Sequence, residues 1–229
     1  MTIKLCYNGP MKETDSLNDN ETGLFKTEEG LIYKNGDLMI KGDFERMLKR
    51  LTHANLSHEL LIKACRIKNA DHPLTVVDAT AGLGEDALLL AAAGFNVELF
   101  ERDEVIAALL KDTLNRALKN EKLSFIVSRM HLHEEDSISG LKDIKTPDII
   151  YLDPMFPARS KSSLVKKKFQ VIHTLEAPAE DEDKLLSAAL AAKPQRIIIK
   201  RPLKGAFLNG VKPSYSINGK TVRYDCIVL

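Results

Sequence analysis

The chain has 229 residues, enough for one large domain or for a domain with a small appendage. Its 33 Lys and Arg against 32 Asp and Glu exclude a global electrostatic pull on nucleic acid, so only a local basic patch can supply one. Cys6, Cys65 and Cys226 lack metal-ligand spacing and fit a reduced, cytoplasmic chain; MTIKLCYNGPMKETDS has no signal-peptide core, and no stretch is long enough to span a membrane.

The first part of the chain reads as irregular and polar. LIYKNGDLMI then places Asn35-Gly36 between two apolar-rich arms, a hairpin pattern. Helices are expected over about 43–51 and 57–67, the second with Ser57 as its cap. Asp71-His72-Pro73 breaks the chain, and from Leu74 strands and helices alternate, which predicts a parallel sheet covered on both faces. LTVVDA is strand one, EDALLLAAAG a helix closed by Gly94, and FNVELFE strand two. DEVIAALLKDTLNRALKN is a long amphipathic helix with Val105, Leu109 and Leu110 on one stripe. SFIVSR reads as a short helix before MHLHEE as strand three, the alternative being SFIVSR as the strand itself. DIIYLD is strand four, AEDEDKLLSAALAAK a helix with acids in its first turn, and QRIIIKR strand five. SYSINGKTVRYDCIVL closes the chain as an antiparallel hairpin around Asn218-Gly219. This order resembles the Rossmann-like α/β fold of class I methyltransferases, a mostly parallel seven-stranded sheet with a C-terminal antiparallel hairpin. A small α+β extension over 1–72 would precede that domain at 73–229.

Between strand one and its helix, DATAGLGED has Gly82 and Gly84 to turn tightly and let a ligand approach the backbone. A dinucleotide loop would carry a third glycine where Ala87 stands, and Glu85 and Asp86 would repel a pyrophosphate. Those acids suit a cation better, and S-adenosyl-L-methionine carries a sulfonium and an ammonium and no phosphate. Glu101 ends strand two, nineteen residues after Gly82, where an acid takes ribose hydroxyls in nucleotide-binding units. Asp136 and Ser137 follow strand three, where an adenine amino group is read in this architecture.

Asp153-Pro154-Met155-Phe156 follows strand four at the same edge. It is similar to the [Asp/Asn/Ser]-Pro-Pro-[Tyr/Phe] signature of methyltransferases acting on the exocyclic amines of bases, with Met155 replacing the second proline. The residue types suit the chemistry. An aromatic amine is a weak nucleophile because its lone pair is delocalised into the ring. A carboxylate and the Pro154 carbonyl can each accept one N–H and aim that lone pair, while Phe156 offers a face for a flipped base. Arg159, Lys161, Lys166, Lys167 and Lys168 follow without an acid, and Lys200, Arg201 and Lys204 come after the core of strand five; both groups are candidates to grip phosphates. His131 and His133 share a strand face, but no third ligand accompanies them, so no metal is expected.

With DATAGLGEDA, LFERD, YLDPMFP, SSLVKKK and IIKRP in this order, the chain resembles the family of ribosomal RNA small-subunit methyltransferase J over about 76–202. The resemblance implies methylation of N2 of a guanosine in the 3′ region of bacterial 16S rRNA, with S-adenosyl-L-methionine as cofactor and the RNA or the small ribosomal subunit as partner. It implies cofactor contacts by Glu85, Asp86, Glu101, Arg102, Asp136, Ser137 and Asp153. Two departures stand out. The family loop often reads G-L-G-R-D, whereas this chain has Glu85. LTHANLSHELLIKA, with His53, Asn55, Ser57 and His58, replaces an Arg/Gly-rich basic stretch. Two other readings stay open: the same cofactor serving an adenine N6 amine in RNA or DNA, and a non-catalytic RNA-binding module, against which the intact Asp153 argues.

Overall fold

The structure, a computed structural model, describes residues 22–145, 147–154 and 181–229. Thr22–Thr27 (β1), Gly30–Asn35 (β2) and Leu38–Ile40 (β3) form an antiparallel sheet in that order. The expected hairpin is β2–β3, turning at Gly36 with φ +58°. β1 corrects the reading of the preceding stretch as irregular: Leu24 and Phe25 are buried although the strand's other residues are mostly polar.

The two expected N-terminal helices are shorter and differently placed. Only a 3-10 turn, Glu45–Met47, forms within 43–51. Thr52 is extended (ψ 145°) and accepts from Asn55 N–H to start a one-turn helix, His53–Leu56 (α1), so the earlier segment cannot run on. Ser57 does not start the next helix; its hydroxyl donates to Ala54 O at 2.7 Å and closes α1. The following helix is Leu60–Cys65 (α2).

The main sheet has seven strands: Thr75–Asp78 (β4), Asn96–Phe100 (β5), Met130–His133 (β6), Ile149–Leu152 (β7), Arg196–Pro202 (β8), Tyr215–Asn218 (β9) and Val222–Val228 (β10). Their order is β6-β5-β4-β7-β8-β10-β9. The first five are parallel, and β10 runs antiparallel between β8 and β9. Glu85–Ala92 (α3), Glu104–Ala117 (α4), Ser124–Val127 (α5), Ser137–Gly140 (α6) and Glu182–Ala191 (α7) accompany the strands. SFIVSR is thus the helical segment α5, and MHLH is strand β6.

Alternation along the strands builds a core on each face. Val76, Ile149, Tyr151 and Ile198 pack with Leu61 of α2 and Leu88 of α3. Their neighbours Val77, Ile150, Ile197 and Ile199 pack instead with Leu185, Leu186 and Ala189 of α7. A fully buried aliphatic side chain of this kind contributes about 1.5–3 kcal/mol by leaving water. Helix α4 serves two layers: Leu110 and Leu114 join the sheet core, while Val105, Ile106 and Leu109 pack with Leu24, Leu31, Tyr33 and Ile40 of the small sheet. The order reverses at β4, which lies between β5 and β7, so a crevice is expected beyond the carboxyl ends of those strands. Among the described residues no helix is long and apolar enough to cross a membrane.

Candidate active site

The glycine loop runs from Asp78, at the end of β4, to the start of α3. Gly84 has φ +75°, and a Cβ there would stand 2.7 Å from Leu110 Cδ1 and 3.2 Å from Phe44 Cζ. It is therefore glycine for both conformation and close packing. Gly82 has φ +54°, but a Cβ there would meet nothing within 4 Å. Its conformation is constrained while the space beside it is open, as a ligand-facing loop requires.

Glu101 holds this loop. Its carboxylate accepts Gly82 N–H at 2.9 Å and Asp103 N–H at 2.8 Å. Burial pushes the acid up to about 7 despite those two amides. A carboxylate has about four lone-pair sites, so two remain for ribose hydroxyls. Glu101 lies directly after β5, and its clamp on the loop was not foreseen from the sequence.

Beyond β4, β7 and β8, two part-buried acids and the buried Asp78 surround one ammonium. Lys200 Nζ donates to Asp86 Oδ2 and to Asp153 Oδ2, each at 2.8 Å. Tyr151 OH also donates to Asp86 Oδ2, at 2.7 Å. Asp153 N–H donates to Thr80 Oγ1 at 2.7 Å, which ties the start of the Asp-Pro turn to the glycine loop. Burial raises the Asp86 carboxyl, but Lys200 and Tyr151 more than offset it and hold it below the ordinary range. Burial pushes Asp153 up, opposed by Lys200. Asp78, 1% exposed, is driven by burial and by Asp86 to about 8. The Lys200 ammonium, against the pull of burial, is held well above its ordinary value by Asp153 and Asp86. Sequence reasoning missed Asp78, Thr80 and Tyr151 as partners here; the buried acid at the end of an otherwise apolar strand was the available signal.

The remaining expected site residues fall in several places. Asp136 caps α6, its side chain accepting Ile138 N–H at 2.9 Å, and Ser137 behind it is buried. Glu85 pairs with Arg46 of the N-terminal segment. The Arg102 guanidinium lies 3.8 Å from the Asp181 carboxylate. Lys200 and Arg201 require a correction, because β8 runs to Pro202 and both lie inside the strand. Lys200 is committed to two carboxylates rather than offered to phosphate. Arg201, 6% exposed, donates to Ala206 O at 2.9 Å and faces Glu182 at 3.6 Å. His133 hydrogen-bonds Glu98 at 2.7 Å and stacks on Phe100. Phe156, Arg159, Lys161, Lys166, Lys167 and Lys168 lie outside the described residues. Pro154 is buried directly after Asp153.

The donor set fits S-adenosyl-L-methionine. Carboxylates outnumber cations in this cluster, which favours a ligand bearing positive charge, and the open Gly82 side leaves room against the backbone. Asp86, Asp153, Glu101 and Asp136 all lie at or just beyond the carboxyl ends of the parallel strands or at the start of the helices that follow them. The strand order, the glycine loop and this row of acids at the strand ends together define a class I S-adenosylmethionine-dependent methyltransferase.

Residues 16–229 match the family described as "Putative SAM-dependent methyltransferase". The chain is 45% identical to the ribosomal RNA small subunit methyltransferase J of Thioalkalivibrio sulfidiphilus, over 80% of this chain and 72% of the relative. It is 40% identical to that of Marinobacter nauticus, over 88% and 76% respectively. A solved SAM-dependent methyltransferase from Neisseria gonorrhoeae superposes with a TM-score of 0.74 at 31% identity, covering 96% of this chain and 87% of that one. The chain belongs to the ribosomal RNA small subunit methyltransferase J family.

Proposed function

We propose that the protein methylates the exocyclic N2 amine of a guanosine in 16S rRNA, acting in the cytoplasm on that RNA or on the small ribosomal subunit. The relatives' names support the substrate class. The observation that carries the chemistry is Asp153: one carboxylate oxygen is held by Lys200, and Oδ1 accepts no hydrogen bond from the described residues. That oxygen is the acceptor the amine needs.

When bound, S-adenosyl-L-methionine supplies an electrophilic methyl group on a sulfonium. Asp153 accepts one amine N–H in a charge-assisted hydrogen bond, and the Pro154 carbonyl accepts the other. Together they localise the nitrogen lone pair and orient it along the line of transfer. No strong base has to act first, because the methylated amine is acidic and gives its extra proton to water or to Asp153. Glu101 keeps the glycine loop in place throughout. Phe156 stacks on the base, and Arg159, Lys161, Lys166, Lys167 and Lys168 hold phosphates, with exposed Lys204 beyond β8.

The test is transfer of tritiated methyl to small-subunit particles lacking the modification, followed by nucleoside analysis. Label in N2-methylguanosine is expected. Label in N6-methyladenosine, or none in RNA, would overturn the assignment.

A further inference from the structure

Lys200 stands between the two halves of the site. Asp86 begins α3 beside the glycine loop, on the methyl-donor side. Asp153 follows β7, on the acceptor side. The ammonium binds Oδ2 of both at 2.8 Å, so each acid keeps Oδ1 for a ligand. Tyr151 adds a second donor to Asp86 Oδ2, which fixes the rotation of that carboxylate. Thr80 anchors the backbone of Asp153, while Lys200 is the described donor to its side chain.

We propose that Lys200 is a positioning residue for methyl transfer: it holds Asp153 ionised and oriented toward the amine, and couples that acid to Asp86 of the donor subsite. The proposal rests on the reading of Asp153 as the acid that holds the amine.

The charges around the cluster support it. Asp78 faces it from β4, Asp86 from α3, Tyr151 and Asp153 from β7, Lys200 from β8 and Tyr224 from β10, with Arg50 and Glu59 from the segment before α2. Burial and Asp86 push Asp78 up to about 8, which disfavours its charged form. Asp86 and Asp153 as carboxylates with one ammonium then leave a single negative charge. S-adenosyl-L-methionine, with sulfonium, ammonium and carboxylate, is singly positive and complements it. Without Lys200, Asp153 would sit part-buried beside Asp86 with no cation in contact, which favours its protonated form. A protonated Asp153 offers the amine a much poorer acceptor.

The test compares Lys200→Met with Lys200→Arg and the unaltered chain, each labelled with carboxyl-13C aspartate and free of cofactor. The Asp153 resonance is assigned by its loss in Asp153→Asn. Removing a contacting opposite charge should move the Asp153 titration up by about 1–3 pH units, and Lys200→Arg should restore it. Each such unit is a tenfold loss of ionised acid below the new midpoint. In methyl transfer, kcat of Lys200→Met should fall about tenfold for each pH unit below the new Asp153 midpoint and recover above it. An unchanged Asp153 titration would overturn the proposal. So would an ordinary kcat and pH profile with only KM for RNA raised, which would make Lys200 a phosphate contact. Should Lys200→Met fail to fold, Lys200→Gln removes the charge while keeping a hydrogen-bond donor, and the same titration decides. That titration uses no RNA, so its answer is separate from which base receives the methyl.

Discussion

Strand β7 has an aspartate at each end, and the two live under opposite conditions. Asp148, just before the strand, accepts Thr75 N–H at 2.8 Å and the Gln195 side-chain amide at 2.7 Å, with the His72 imidazole at 3.2 Å. Donors from three segments converge on one carboxylate, and both of its oxygens are engaged. Asp153, just after the strand, shares a single ammonium with Asp86 and has Asp78 nearby. At one end three donors serve one acid; at the other three acids gather around one ammonium. A satisfied carboxylate is a clamp that ties strands together. Buried carboxylates left short of donors cost stability, and a fold retains them where a ligand completes the set.

The contrast is sharpest in Asp153→Ala, which should lower single-turnover methyl transfer by about 10²–10³-fold, in the range seen when one preorganised hydrogen-bonding group is lost from a site. Its circular dichroism and thermal midpoint should stay close to those of the unaltered chain; normal turnover would break the comparison at once. Asp148→Ala should do the reverse. It leaves Thr75 N–H without its acceptor and should cost about 1–3 kcal/mol in urea unfolding with kcat intact. Glu101 is a clamp in the structure and a ribose ligand in the proposed reading. Glu101→Ala should weaken cofactor binding by about 1–3 kcal/mol in calorimetry. If ribose hydroxyls donate to the ionised acid as proposed, affinity in the unaltered chain should improve as pH rises through about 7, and Glu101→Gln should remove that rise. The smallest effect belongs to His72, whose imidazole is raised above 6.5 by Asp71 and then Asp148. A raised histidine stabilises while protonated, so its share is present below 6.5 and is lost as pH climbs through the higher folded value. His72→Ala should flatten that slight decline in thermal midpoint and leave methyl transfer alone.

Much of the architecture was legible because parallel βα units announce themselves. TVVD, NVELF and IIYL are short apolar runs ending in acids or turns, and the Asn-Gly pairs mark both hairpins. The chain before residue 70 was harder. Its helices are one or two turns long, set by where Thr52 and Ser57 spend their hydroxyls rather than by periodicity. In the site, residue type and strand-end position marked Glu101 and Asp153 as candidates. Lys200 misled because IIIKRP looks like a strand running out into a basic tail. The antiparallel pairing with β10 extends that strand through Pro202, buries Arg201 and turns Lys200 toward two carboxylates. Pairing partners far apart in sequence decide such cases, and a linear pattern does not contain them.

Phe44 stands against the back of Gly84, and the small N-terminal sheet shares its apolar cluster with Leu83 and α4. The boundary near residue 72 is therefore no place to cut. A chain trimmed to begin at Pro73 would wet Val105, Ile106 and Leu109, and would remove the wall that keeps the loop's sharp bend from relaxing. What looks like an appendage therefore packs against the back of the glycine loop.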